Sequence, residues 1–213
     1  MMINRTALGL FALGALLFAA LFYAATTYSI LGWSVNDMGE PALDPAILVA
    51  LYTIAFGLPY AVFELTRRTN WLAILFVLIL IPAVHYGAIA AFLWLGSSGA
   101  EAAETGVAAT PGLLPGLLAG FVGSALSFLA LFVLGLRSAK AGVVVFLAGI
   151  VLLTAWGGIS MLLLNADAEN PTALNYILPI FLPWQLIFGF FLSVLLKPSP
   201  KRGEVATTDA TGD

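Results

Sequence analysis

The stretch WLAILFVLILIPAVHYGAIAAFLWL, Trp71 to Leu95, constrains this chain more than any other, because it holds no Asp, Glu, Lys or Arg and carries the only histidine, His85. As a helix rising about 1.5 Å per residue it is about 37 Å long, enough to cross a hydrocarbon layer of about 30 Å. The rest of the chain obeys the same constraint. It is 62% hydrophobic and 9% charged, with a mean hydropathy of +1.05, whereas soluble domains are about one quarter charged. A chain of 213 residues has room for about six crossings and no separate water-facing domain. The expected fold is all-α: a polytopic membrane protein with six transmembrane helices at about 7–31, 46–65, 71–95, 112–136, 141–164 and 176–196. The polar remainder, 197–213, has no core-forming residues and is expected to be a disordered cytoplasmic tail.

The apolar run from Ala7 exceeds the 7 to 15 apolar residues typical of a cleaved signal peptide, so it reads as a signal anchor, with Ala24-Ala25 the place where a peptidase would otherwise cut. The turns at 66–70 and 137–140 are so short that the helices they join must be antiparallel neighbours. Charge then sets orientation. Arg5, Arg67, Arg68, Arg137, Lys140, Lys197, Lys201 and Arg202 all fall on one side of the six-helix layout, and Asp37, Glu40, Asp44, Glu101, Glu104, Asp167 and Glu169 fall on the other. Basic residues near helix ends stay in the cytoplasm. Both termini are therefore expected there, with the acidic loops 32–45, 96–111 and 165–175 outside, in a multi-pass protein of a bacterial inner membrane. Glu64, Arg67 and Arg68, at i, i+3 and i+4, read as a local ion pair reaching out to water.

In the fourth segment Gly112, Gly116, Gly120 and Ser124 recur every four residues, with Gly123 and Ser127 forming a second small stripe. Such spacing lets two backbones approach closely in lipid. Packing inside the chain is the plain reading; a homo-oligomer or membrane-protein partner through helix 112–136, or a pore lining, are the others. An aromatic followed by two small residues, Tyr23-Ala24-Ala25, Tyr86-Gly87-Ala88 and Trp156-Gly157-Gly158, recurs near the outer ends of the odd-numbered helices, a weak hint of a repeated helix pair.

The search for chemistry returns absences. No carboxylate or lysine lies deep in a segment, which speaks against proton pumping, two-acid catalysis and a retinal Schiff base. There is no cysteine, phosphate loop, zinc spacing or basic nucleic-acid stripe. Two axial imidazoles for a haem would have to come from two copies of His85 at a dimer interface, or one from a partner subunit. The expectation is a protein that is not an enzyme, with no cofactor, metal or nucleic acid, and the lipid bilayer as its surroundings.

What remains is a polar layer. Counted from the outer helix ends, His85, Gln185 and Thr154 lie about 15, 14 and 15 Å deep, with Tyr86 beside His85. An imidazole and an amide unpaired in hydrocarbon would each cost several kcal/mol, so His85 and Gln185 are expected to face inward and hydrogen-bond directly or through water. Prolines in helices two, three and six free backbone carbonyls that can line a cavity. The functional reading is a small permease or channel-like transporter of a small solute. The alternative is a non-catalytic membrane subunit or assembly factor, binding through helix four or the acidic loops.

Overall fold

The computed structural model describes residues 3–28, 45–67, 70–101, 113–138, 142–166 and 173–197. These form six helices: α1, Arg5–Tyr28; α2, Pro45–Arg67; α3, which begins as Trp71–Leu75 and continues through a π-helical turn, Phe76–Leu80, into Ile81–Glu101; α4, Leu113–Val133; α5, Val143–Ala166; and α6, Ala173–Leu195. Five of them are long and apolar enough to cross a membrane, and α6 carries the apolar stretch Phe181–Leu195. The tail from 198, the loops at 29–44, 102–112 and 167–172, and Gly112 of the small-residue stripe fall outside the described residues. The expected loop at 96–111 begins later than its composition suggests. α3 runs on to Glu101, because a helix end at the polar interface needs no further apolar residues once water can take its last carbonyls.

Each helix packs against its neighbours in sequence, and α6 returns against α1, so the six close into a ring. Aromatic rings fill the middle. Phe188 of α6 is the hub: its ring centroid lies 5.9 Å from Phe56 on α2, 5.5 Å from Phe128 on α4 and 4.9 Å from Trp184. Phe11 of α1 stacks on Phe56 and Tyr60 at 5.3 and 4.9 Å. In lipid no hydrophobic effect draws helices together, so dispersion between close-packed surfaces must do so. Each aromatic pair adds about 0.5–1.5 kcal/mol.

Glycines set the closest approaches. A Cβ at Gly14 would meet the backbone of Phe56, one at Gly57 the carbonyl of Val77, and one at Gly116 the carbonyl of Gly157. At Gly120 it would lie 2.5 Å from the Leu153 carbonyl oxygen and 3.0 Å from Thr154 Cα. The described part of the small-residue stripe is therefore used inside the chain, between α4 and α5. Gly157 takes part in that seam, while a Cβ at Gly87 meets nothing within 4 Å, so the aromatic-small-small triplets do not serve equivalent contacts.

One end of the ring is tied by backbone hydrogen bonds. α4 stops at Gly135, φ +65°, in a Schellman motif: Leu136 N–H donates to the Leu131 carbonyl at 3.0 Å and Gly135 N–H to that of Phe132 at 3.1 Å. This ends α4 three residues before the expected Leu136 and turns the chain alongside α6. There Ser138 N–H donates to Leu195 at 2.7 Å and Lys197 N–H to Leu136 at 2.8 Å, while Asn4 N–H donates to Ser193 at 3.1 Å. Arg5, Arg67, Arg137 and Lys197 all lie at this end.

At the end of α2, where Glu64 and the arginines are expected to reach out to water, Glu64 is instead buried, and Arg68 lies outside the described residues. Glu64 is 1% exposed, and the Arg67 guanidinium lies over the ring of Phe63 at 4.3 Å. Glu64 follows Tyr60 by one turn on the face packed against α1, which carries it along α1 instead of out to water.

Candidate functional site

Pro82 shapes the site. Without an N–H it cannot serve the carbonyl one turn earlier, and the helix widens just before it: over Phe76–Leu80 the N–H of Ile81 donates to the Phe76 carbonyl, five residues back. Such π turns are rare and occur often at functional sites. Phe76, Pro82 and Ala88 are buried on α3, and so are Ala73, Val77, Ile81 and His85, which recur every four residues. A straight helix of 3.6 residues per turn does not hold a spacing of four on one face for three turns. The wide turn lets α3 do so, and it brings His85 to the interior.

His85 is 5% exposed. Its Nδ1 lies 2.9 Å from the Ile81 carbonyl oxygen; a carbonyl only accepts, so Nδ1 carries the proton and donates. In the neutral ring Nε2 is then a lone-pair acceptor. The imidazole meets the Trp184 indole edge-on at 4.6 Å and 87°, with Phe188 6.1 Å away. Nε2 is buried and has no partner among the described residues.

Gln185 follows Trp184 on α6 and is 1% exposed; its Nε2 and Oε1 are likewise buried without a partner. The expected direct hydrogen bond between His85 and Gln185 is not formed. The imidazole has turned Nδ1 to its own helix and its ring to Trp184, the residue before Gln185, and adjacent residues on a helix point about 100° apart. The same rotation disposes of Tyr86. Next to His85 in the chain, it is 42% exposed on the outer surface and takes no part in the cluster.

Two hydroxyls complete the set, Ser127 Oγ on α4 and Thr154 Oγ1 on α5, both buried and unpartnered. A Cβ at Gly123, one turn before Ser127, would lie 3.5 Å from Ala88 Cβ and 3.6 Å from the Trp184 ring, which puts this level of α4 beside His85 and Gln185. Thr154 borders Gly120, about 4.5 Å along α4 from Gly123. A hydroxyl in a membrane helix has a ready partner in its own backbone one turn back, and others here use it. Thr53 donates to Val49 at 2.7 Å, Ser124 to Gly120 at 2.7 Å, Ser160 to Trp156 at 2.8 Å and Ser193 to Phe190 at 2.7 Å. Ser127 and Thr154 do not.

Five buried polar atoms without a partner among the described residues thus lie on α3, α4, α5 and α6. They offer an acceptor at His85, a donor and an acceptor at Gln185, and two hydroxyls of either sense. Left unmet, each costs about 1–3 kcal/mol. Made of hydrogen-bond donors and acceptors, the set is suited to a small polar molecule; among the described residues no three metal-ligating side chains converge. Of the four residues expected in a polar layer, the cluster takes His85, Gln185 and Thr154 and leaves out Tyr86. Ser127 was visible in the sequence only as a small residue, and Trp184 only as a neighbour of Gln185; the nearby Pro183 and the two-stripe pattern of α4 were the available signals.

The helical ring and its apolar spans define a multi-pass membrane protein. No family model matches the chain, no curated protein matches it, and no solved structure does.

Proposed function

We propose that this protein is a small permease of a bacterial inner membrane, moving a small uncharged polar solute through a binding site at mid-depth, and that it is not an enzyme. The observation that carries this reading is the group of five unpartnered polar atoms on α3–α6, around an imidazole set by a π turn. Substrate sites of transporters lie near the bilayer midplane, where helices are interrupted, and intramembrane polar groups ordinarily mark a path or pocket. No carboxylate or ammonium belongs to the cluster, which favours a neutral solute. The aromatic hub at Phe188 favours an occluded carrier over an open channel. The small-residue stripe, the main support for a subunit role, is largely used between α4 and α5.

The test is solute-driven volume change of proteoliposomes under an inward gradient of urea, acetamide or glycerol, followed by light scattering. Vesicles holding the protein should respond faster than empty ones to at least one of the three, and Gln185→Leu should return that rate to the empty-vesicle value. If no solute is faster, or the variant matches the wild type, the reading fails.

Orientation belongs to the same proposal, with both termini and the basic end in the cytoplasm by charge retention. The chain has no cysteine, so Ser98→Cys, Thr172→Cys and Ser138→Cys can each be probed alone. In intact cells an impermeant thiol reagent should label the first two and spare the third; labelling at 138 would reverse the topology.

A further inference from the structure

We infer that the basic end carries a site for one anionic phospholipid, seated between α4, α5 and α6 with its phosphate on Arg137. A groove of about 260 Å³ opens there, walled by Leu129 and Phe132 of α4, Val143 and Phe146 of α5 and Leu195 of α6, with Arg137 the charged lining residue among those described. The volume suits several methylenes of an acyl chain, and the walls are apolar.

Arg137 is held at this groove by backbone. The Schellman turn at Gly135 delivers it, and it forms an isolated antiparallel bridge with Leu196, flanked by the Ser138–Leu195 and Lys197–Leu136 hydrogen bonds. Its guanidinium lies over the Phe132 ring at 5.1 Å, so the cation stands directly at the apolar wall. Among the described residues no carboxylate pairs with it. Gly142 and Val143 also border the groove and bring the start of α5, where first-turn N–H groups and the helix dipole favour negative charge. A fixed cation above an apolar groove matches one occupant, a lipid whose phosphate is anionic and whose chain follows the groove. Guanidinium binds phosphate by paired hydrogen bonds, and basic pockets between membrane helices recognise such headgroups.

The experiment is native mass spectrometry of the full chain released from neutral detergent, with equal amounts of phosphatidylglycerol and phosphatidylcholine bearing the same acyl chains. The first bound lipid should favour phosphatidylglycerol by about fivefold, the effect of roughly one cation near the headgroup. Arg137→Gln should remove that preference, while Arg5→Gln, at the same end, should keep it. Gly142→Trp, which fills the groove, should lower first-lipid occupancy for both lipids. Inorganic phosphate should not compete, since it cannot use the apolar walls. Equal binding of the two lipids, a preference that survives Arg137→Gln or is lost equally in Arg5→Gln, undiminished occupancy in Gly142→Trp, or displacement by phosphate would each overturn the site.

Discussion

The two sides of the ring handle polar groups in opposite ways. On α1 and α2 the buried hydroxyl of Thr53 is folded back on its own helix, and the packing is aromatic: Phe11 on Phe56 and Tyr60, and Phe22 against Tyr52 at 5.6 Å. On α3 to α6 five buried polar atoms have no protein partner, although self-satisfied hydroxyls stand in the same helices at Ser124, Ser160 and Ser193. Pro179 and Pro183 lie within a continuous α6. Pro59 lies within a continuous α2, whereas Pro82 follows a π turn and precedes the imidazole. The contrast teaches that open polarity here is confined to one side and is not the consequence of loose packing, because the tight α4–α5 glycine seam lies on that same side.

The sharpest way to break the comparison is at that seam. Gly120→Leu puts a branched side chain where a Cβ alone would come within 2.5 Å of the Leu153 carbonyl, and overpacking against backbone should cost about 3 kcal/mol or more. The expected result is low accumulation in the membrane and a marked fall in Tm in detergent. An unchanged Tm would mean that the α3–α6 side is slack and its open polar atoms incidental.

A smaller effect of opposite sign is expected at the cluster. Gln185→Leu removes two buried, unmatched groups and should raise stability by about 1–2 kcal/mol in detergent, while Thr53→Val, on the other side, removes a made hydrogen bond and should lower it by about 1 kcal/mol. Thermal unfolding of the two variants beside the wild type checks the signs. A loss in both would show that Gln185 is engaged in the folded protein in membrane or micelle.

The finest distinction lies between two serines one turn apart on α4. Ser124→Ala forfeits a hydrogen bond to Gly120 and should cost about 0.5–1 kcal/mol, whereas Ser127→Ala should be neutral or slightly stabilising. Equal shifts in Tm would erase the difference between closed and open hydroxyls on which the site rests.

Much of the helical layout was legible in the chain, because in lipid every backbone group must be satisfied within its own segment and apolar length alone marks a helix. The Gly116 and Gly120 spacing likewise announced a close helix contact, and the depth of His85, Gln185 and Thr154 announced a polar layer. What could not be read was rotation. Nothing in the residues around Pro82 states that the turn before it widens, and the angle of every side chain beyond depends on that turn. The burial of Glu64 is hidden for a related reason: a carboxylate with arginines at i+3 and i+4 looks exposed, and only the ring shows that α1 passes beside it.

The π turn in α3 also makes chain length a determinant of chemistry. A π turn takes up one residue more than an ordinary turn, so winding 76–80 as ordinary helix at unchanged length would turn every position after it by about 100°. The interior would then receive Val84 in place of the imidazole, with the composition of the span unaltered. Between Trp71 and His85 the count of residues is therefore as informative as their identity: a chain one residue shorter in 76–80 would hold the histidine inward as an ordinary helix, whereas this one needs the wide turn to do so.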